Sequence, residues 1–256
     1  KIENGIVKDY SMEVNGYTVT KGKNTKKSGK IENKPDGSVD NPTPEEPVIT
    51  YKAIVYYNPV SGEKCEASEA VSKTETKTGC MQWYAYIDDG TNYTMILDHN
   101  TSVVSWDSNN KNIAYEQSNT KSEIDKLVSE SKWKVKPRLI TANEIAEISG
   151  NTSFDSTDAN GWFYLDSNSQ KRTANSQVKS KYAWLYDYTD DCVRYGCNTA
   201  SSSAVYGYWT STPLGTAGSG NYVWFMNSYG DLNSLTASSV NYGVRPVITI
   251  PKSIVS

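Results

Sequence analysis

The second half of the chain is a succession of short strand-like runs separated by turn residues. After Gly150 these runs are WFYL, KYAWLY, YGYWTST, YVWFMN, DLNSL and VRPVITI. Each is rich in aromatic or β-branched residues and is bounded by Gly, Asn, Asp or Ser, which is typical of strands in antiparallel sheets. A chain that ends in this way must bury its apolar side chains by building sheets.

Two helices are predicted before these strands. Residues 119–131 (NTKSEIDKLVSES) carry an apolar stripe at helical spacing. Residues 138–150 (RLITANEIAEISG) are marked more clearly. Thr141 can cap the first turn, Glu144 stands three residues later as in a capping box, and Gly150 can end the helix.

Strands are also predicted ahead of the helices. Residues 51–57 (YKAIVYY) alternate, and residues 83–87 and 93–98 read as a hairpin across DDGTN. Helices in the middle of a chain with antiparallel strands around them indicate a segregated α+β domain. We therefore assign residues 48–256 to one α+β domain.

The N-terminal part reads as a separate small β element. Within residues 1–33, alternating runs at 6–14 and 17–21 meet at an Asn-Gly pair, a strong hairpin signal because both residues tolerate positive φ. Two strands alone are marginally stable, so this hairpin must belong to something larger. Residues 34–47 (KPDGSVDNPTPEEP) are rich in proline and have no apolar periodicity, which predicts an extended linker.

Composition excludes several classes of partner. The 256 residues carry a net charge of −3, so no basic surface argues for nucleic acid or anionic lipid. No stretch approaches the roughly 18 apolar residues of a membrane span. Nineteen Tyr and seven Trp stand against three Phe. This bias suits a surface that binds ligands while staying hydrated, although β proteins are also commonly rich in Tyr.

The cysteines form two local pairs, Cys65 with Cys80 and Cys192 with Cys197. An even count at short spacing predicts two disulfides and an oxidising, extracellular compartment, with four reduced thiols as the alternative. A CxxC pattern is absent, and the single His99 cannot complete a Cys/His zinc site.

Three motifs carry a family resemblance. RLITANEIAEI at 138–148 resembles the helix entry of formylglycine-generating-enzyme-like domains, whose later motifs are matched by GYWTST at 207–212 and YGVRPV at 242–247. This is the wider C-type-lectin-like fold, and the chain is most similar to its Gram-positive (Firmicute) surface branch over residues 50–256. Residues 1–33 resemble the last strands of a type IV pilin-like domain. In that case the membrane would be reached only through a missing N-terminal helix.

The resemblance implies an arrangement for the C-terminal stretch. The first and last strands of this fold pair, so GVRPVITI would lie beside YKAIVYY, below an exposed Tyr/Asn-rich ribbon. Arg245 is expected to form a structural ion pair, and Pro246 to occupy a position without a ladder partner. Gly243 would permit a close approach or a positive φ.

The resemblance does not carry over an enzyme activity. The catalytic cysteines of formylglycine-generating enzymes lie between the two later motifs, and residues 209–244 contain no cysteine. The Asp88-Asp89 and Asp190-Asp191 pairs adjoin turn residues, which favours solvated turns over acid/base pairs. Asp187, Asp190 and Asp191 could supply oxygen ligands to calcium. The calcium-dependent sugar-binding motifs of C-type lectins are, however, missing from the sequence. We therefore predict no catalytic residue, metal or cofactor.

The predicted function is a non-enzymatic adhesin or ligand-binding module of a cell surface or pilus, with a host glycan or protein as its ligand. The alternative is a structural pilin-like subunit that contacts only other pilin subunits. Alternation along YVWFMN places one face in the core and the other at the surface, without saying which. The candidate ligand-binding residues on the Tyr/Asn/Ser-rich ribbon are Tyr222, Trp224, Asn227, Tyr229, Asp231 and Asn233.

Both disulfides should be present in the native protein, as Cys65–Cys80 and Cys192–Cys197, because local pairs in an oxidising compartment close first. Mass spectrometry of peptides from the unreduced protein checks this pairing. Four free thiols, or bonds that cross between the two pairs, would contradict it.

Overall fold

The computed structural model describes residues 50–70, 77–110, 114–169, 180–187, 205–214 and 221–256 in full. Elsewhere it describes strand backbone only, within residues 2–26 and at residues 198–199. The chain divides into two compact units, Lys1–Glu46 and Pro47–Ser256. The predicted linker at 34–47 lies outside the described residues.

The N-terminal unit consists of short antiparallel strands. They are β1 (Ile2–Glu3), β2 (Ile6–Val7), β3 (Ser11–Val14), β4 (Tyr17–Thr20) and β5 (Lys23–Lys26). β1 pairs with β2, and β3, β4 and β5 form a three-stranded meander in which Val14 faces Tyr17. The single strand predicted at residues 6–14 is therefore two strands, and β5 was not predicted.

The C-terminal unit is α+β, as the order of elements predicts. Its strands are β6 (Ala53–Asn58), β7 (Glu63–Lys64), β8 (Met81–Asp88), β9 (Asn92–Leu97), β10 (Ser102–Val103), β11 (Phe163–Tyr164), β12 (Asn198–Thr199), β13 (Gly207–Pro213), β14 (Tyr222–Asn227), β15 (Asp231–Thr236), β16 (Gly243–Val244) and β17 (Val247–Pro251). Its described α-helices are α1 (Asn119–Ser129) and α2 (Ala142–Ser149).

Two sheets organise this unit. One has the strand order β17-β9-β8-β6-β7, and the other has the order β11-β15-β14-β13-β16-β10-β12. Described neighbours pair antiparallel except β13 with β16 and β10 with β12. The predicted hairpin of β8 and β9 is confirmed.

Helix α2 forms as its sequence signals predict. The Thr141 hydroxyl accepts from the Glu144 amide at 3.0 Å, and the Glu144 carboxylate accepts from the Thr141 amide at 2.9 Å, completing the capping box. Gly150 ends the helix at φ 74°, in the left-handed region that glycine adopts without a Cβ clash. Helix α1 is capped by the Ser118 hydroxyl, which accepts from Lys121.

Successive residues of the central strands enter two different apolar clusters. Trp83 of β8 and Phe225 of β14 belong to the first core, which also contains the apolar side of α1. Tyr84, which follows Trp83, and Trp224, which precedes Phe225, belong to the second core. This core also contains the apolar side of α2. The central strands are therefore covered on both faces, with one helix on each side.

The last strand lies in the predicted sheet but not beside the predicted partner. β17 pairs with β9, and β8 and β9 separate it from β6. The expectation that GVRPVITI lies next to YKAIVYY is therefore wrong. The β8–β9 hairpin lies between them, at the centre of the sheet. Its two strands carry apolar residues on both faces, and central strands are the ones covered on both faces.

The run KYAWLY, predicted as a strand, is a 3-10 helix at Ala183–Leu185. Tyr182, Trp184 and Tyr186 are all buried against the second core. The prediction relied on the aromatic content of this run, which is typical of strands. In the structure the carbonyls of Trp184 and Leu185 accept from an arginine side chain and not from a neighbouring strand.

That arginine is Arg245, which is fully buried between β16 and β17. Its guanidinium donates to the carbonyls of Leu97 at 2.5 Å, Leu185 at 2.5 Å and Trp184 at 2.8 Å. It lies 5.1 Å from the centre of the Tyr208 ring. No carboxylate of the described residues pairs with it, so the predicted ion pair is replaced by backbone acceptors.

The other expectations for this stretch hold. The Pro246 carbonyl accepts from Leu97, and the proline nitrogen sits between β16 and β17, where it has no ladder partner. A Cβ on Gly243 would lie 2.1 Å from the side chain of Asn100, so this glycine permits a close approach.

One predicted disulfide is present. Cys65 and Cys80 are bonded, with their Cα atoms 6.0 Å apart. Cys192 and Cys197 lie outside the described residues, so their pairing stays a prediction. Within the part of the chain that is described, none of the helices has the length and apolar character needed to span a membrane.

Arg138 fixes the start of α2. Its Nη1 and Nη2 atoms donate to the two carboxylate oxygens of Glu144 at 2.7 and 2.6 Å, and the Tyr86 hydroxyl donates to the same carboxylate at 2.9 Å. Burial by itself would raise the pKa of Glu144, but hydrogen bonds from Arg138 and from the Thr141 amide outweigh it and the pKa is lowered. The ionised carboxylate therefore stabilises the fold.

Replacing Arg138 with Gln should lower the free energy of unfolding by about 1–2 kcal/mol at neutral pH, because a half-buried carboxylate loses its charged donor. The lowered pKa means that Glu144 contributes stability above its unfolded pKa and loses it as the pH falls through the folded pKa. The difference between wild type and variant should therefore shrink by about pH 3, as measured by urea denaturation.

Lys252→Gln provides the control. It breaks an ion pair with Asp88 in which both side chains are substantially exposed, so it should change the unfolding free energy little. An Arg138→Gln variant that matches this control at neutral pH would show that the Arg138–Glu144 pair does not hold the helix start.

Candidate functional site

Strand β14 does not have the exposed face that alternation predicts. Val223, Trp224, Phe225 and Met226 are all buried, because β14 lies between β13 and β15 with a core on each side. Trp224 is 0% exposed, and its indole nitrogen donates to the Ser156 carbonyl at 2.8 Å. The structure therefore places Trp224 in the core, with no surface for a ligand.

The six predicted ligand-binding residues fall into two groups. Asn227, Tyr229, Asp231 and Asn233 lie together around the turn that joins β14 to β15. Trp224 lies in the second core, and Tyr222, half-buried, lies at the opposite end of β14 where it faces Thr236. A surface built from all six does not exist, but the four around the turn form a coherent one.

The strand register shows which side chains share this surface. Tyr164 of β11 is the cross-strand partner of Asp231, and Phe225 is the partner of Asn233. Partners point to the same side of a sheet, as do residues two apart on a strand. Trp162, Tyr164, Asn227, Asp231 and Asn233 therefore share the side of the first core, and we call this group the Asp231 face.

Asp231 lies at the centre of this face and is only 6% exposed. The Asn233 amide donates to its carboxylate at 3.3 Å. Burial raises the pKa of Asp231, and hydrogen bonds from the side chains of Asn233 and Asn227 offset only part of that rise. No Lys or Arg of the described residues forms an ion pair with it. The negative charge is therefore held in place without a cation.

Two exposed aromatics flank this carboxylate on the edge strand. Trp162 is 49% exposed and Tyr164 is 36% exposed, and their rings meet edge-on with centres 5.7 Å apart. The intervening Phe163 turns inward and packs on Phe154. Exposed aromatic pairs of this kind are enriched at binding surfaces because the ring supplies area at a low entropic cost.

Sequence reasoning predicted the WFYL strand but missed Trp162 and Tyr164 as site residues. The available signal was alternation: Trp162 and Tyr164 flank the apolar Phe163 and so had to point away from the core if Phe163 pointed into it. That signal is weak in a strand this short, and the two residues are about 70 positions from Asp231 in the chain.

The turn beside the face is rigidly supported. The Gly230 amide donates to the Asn227 carbonyl at 2.9 Å, and the Asn227 side chain accepts from the Tyr229 amide at 3.1 Å. Gly230 has φ 85°, and a Cβ there would lie 2.8 Å from Ser169 and Tyr186. This geometry leaves Tyr229 at the tip of the turn, 52% exposed.

Two clefts beside α1 are weaker candidates. Each has a volume of about 470 Å³. Their charged side chains are already paired locally, Glu123 with Lys126 in one and Lys121 with Asp125 beside the other, each at 2.6 Å. The second cleft is also lined by Lys136 and Arg138, and neither cleft has an exposed Trp/Tyr pair like the one beside Asp231.

The described residues that could have supported catalysis or metal binding are held by neighbouring groups of the fold. His99 is buried, and its Nδ1 atom contacts the Asp98 carboxylate. Asp88 pairs with Lys252, and Asp89 accepts from the amides of its own turn. Over the described ranges no three His, Cys, Asp or Glu side chains come together to hold a metal. Asp190 and Asp191 lie outside those ranges.

Comparison with known proteins assigns no family. No family model, no curated protein and no solved structure matches the chain significantly.

Trp224 and Tyr229 should respond oppositely to truncation. Trp224→Ala removes a fully buried indole and should cost about 3–5 kcal/mol of unfolding free energy, whereas Tyr229→Ala should change it by less than about 0.5 kcal/mol. Chemical denaturation of the two variants measures both values. A large loss in Tyr229→Ala would mean that the turn is scaffold and not a binding surface.

Proposed function

We propose that the protein is a non-enzymatic ligand-binding module and that the Asp231 face, with Tyr229 beside it, is its binding surface. The ligand is a glycan or a protein presented by a partner. Asp231, Asn227 and Asn233 supply acceptors and donors, and Trp162 and Tyr164 supply the apolar contact. Small polar groups beside exposed rings are the composition that ligand-binding surfaces favour.

The observation that carries this proposal is the carboxylate of Asp231. Its raised pKa means that ionisation is less favourable in the folded than in the unfolded chain, so above the folded pKa the charge reduces stability. An aspartate that weakens the fold, beside exposed aromatics and without a cationic partner among the described residues, is better explained by ligand binding than by structure.

The wider setting is also proposed. The Cys65–Cys80 disulfide supports an extracellular location, at a cell surface or on a pilus, where such bonds persist. Two helices packed on opposite sides of antiparallel sheets support the finer assignment of the α+β unit to the C-type-lectin-like fold. In this setting the module acts as an adhesin.

The test compares Asp231→Asn with wild type in the full chain. Labelled protein is applied to arrays of immobilised glycans and of host surface proteins. Asp231→Asn should lose at least about tenfold in affinity for the array ligand, because the charge that the ligand compensates is gone. Its melting temperature should equal or exceed that of wild type, because the unfavourable ionisation is gone as well.

Asp125→Asn is the matched control, since Asp125 is exposed on α1, outside the Asp231 face, and its surface ion pair with Lys121 contributes little to stability. It should bind like wild type. If wild type binds nothing on either array, or if Asp231→Asn binds equally well, the module proposal is wrong and a structural filament subunit becomes the better reading.

A further inference from the structure

Strand β11 is the outermost strand of its sheet as described. The amide of Leu165 donates to the carbonyl of Gly230 at 3.0 Å, and Tyr164 faces Asp231 across the ladder. In an antiparallel ladder the bonded positions alternate, so the amide and carbonyl of Tyr164 point away from β15. Among the described residues none is hydrogen-bonded to these two groups, which leaves them open to an incoming strand.

Side chains on one side of this edge suit a cationic ligand. Trp162 and Tyr164 are exposed on the side of the Asp231 face, and a Trp or Tyr ring attracts an ammonium or guanidinium group. Asp231 lies one strand further in, so a side chain from an added strand would cross roughly 10 Å, over Tyr164, to approach it.

The described charges around β11 are acidic. Residues 151–169, 205–214 and 221–244, which supply β11 and strands β13 to β15, contain four Asp and no Glu, Lys or Arg, and Lys171 and Arg172 follow outside the described residues. Asp155 and Asp158 are exposed in the turn before β11. A surface of this sign attracts positive partners and repels acidic ones.

We infer that the Asp231 face binds an extended, Lys- or Arg-bearing segment of a partner protein, which adds to the free edge of β11 as a further strand. Main-chain hydrogen bonds to Tyr164 supply register, and cationic side chains lie over Trp162 and Tyr164 toward Asp231. This inference rests on the proposed function and narrows its ligand from glycan or protein to a cationic protein segment.

A neutral ligand fits the surface less well. It would leave the Asp231 charge uncompensated, and a glycan would also make no use of the free edge of β11. An acidic ligand would add repulsion from Asp231 and from the turn before β11.

The test measures binding of a fluorescein-labelled peptide of alternating Lys and Val or Thr to the full chain by fluorescence anisotropy. A peptide with Glu in place of each Lys tests charge. A Lys peptide N-methylated at alternate backbone positions tests strand addition without altering the protein. The protein variants are Trp162→Ala and, as an exposed apolar control on β6, Ile54→Ala.

The Lys peptide should bind, and the Glu and N-methylated peptides should each bind at least about tenfold more weakly. Trp162→Ala should weaken binding of the Lys peptide about tenfold, Ile54→Ala should not, and added salt should weaken it. Equal binding of Lys and Glu peptides, no effect of N-methylation, or no effect of Trp162→Ala each overturns the inference.

The two proposals can fail separately. If the Lys peptide does not bind but an array glycan does, and Asp231→Asn loses that glycan, then the face binds a carbohydrate and only the present inference is wrong. If neither peptide nor array ligand binds wild type, both proposals are wrong.

Discussion

The fold depends on the burial of Arg245. This residue stands where the chain leaves β16, in the seven-stranded sheet, and enters β17, in the five-stranded sheet. Its guanidinium binds the carbonyl of Leu97 at the end of β9 and two carbonyls of the Ala183–Leu185 turn. A buried charge is costly unless its donors are satisfied, so these three segments must come together before the arginine can be buried. One side chain thereby connects the two sheets with each other and with the Ala183–Leu185 turn.

The cover on both faces of the central strands explains where the proposed binding surface lies. Central strands are covered by α1 on one side and α2 on the other, so their side chains are used in packing. A polar side chain in the middle of β13, such as Thr210, is buried and donates to a carbonyl of the fold itself. Exposed positions on this sheet therefore occur at its edge strand and at its turns, which is where Trp162, Tyr164 and Tyr229 are found. The proposed ligand surface is therefore at the periphery, because the central strands pack into a core on each face.

Features that depend on neighbouring residues can be predicted from the sequence, whereas features that depend on contacts between distant parts of the chain cannot. The cap of α2 is encoded within ten residues by Thr141, Glu144 and Gly150, and it forms as expected. The exposure of Trp224 could not be predicted, because alternation gives two faces but not whether the second is also covered. Of the proposed binding residues, Asn227, Asp231 and Asn233 lie on one short ribbon and could be named from sequence, whereas Trp162 and Tyr164 join them only through strand pairing. The strand order failed for the same reason.

Two buried charged residues of this domain, Arg245 and Asp231, differ in how well the fold compensates their charge. This difference is the basis for assigning a structural role to the first and proposing a binding role for the second. Arg245 has three backbone acceptors from three positions along the chain, so its charge is satisfied by the fold itself. Asp231 has two side-chain amides, both from within four residues of it, and burial still raises its pKa. The amides orient the carboxylate without neutralising it. A charge that the described part of the fold orients but does not compensate retains most of its capacity to bind a cation, which is why we propose Asp231 as the centre of the ligand surface.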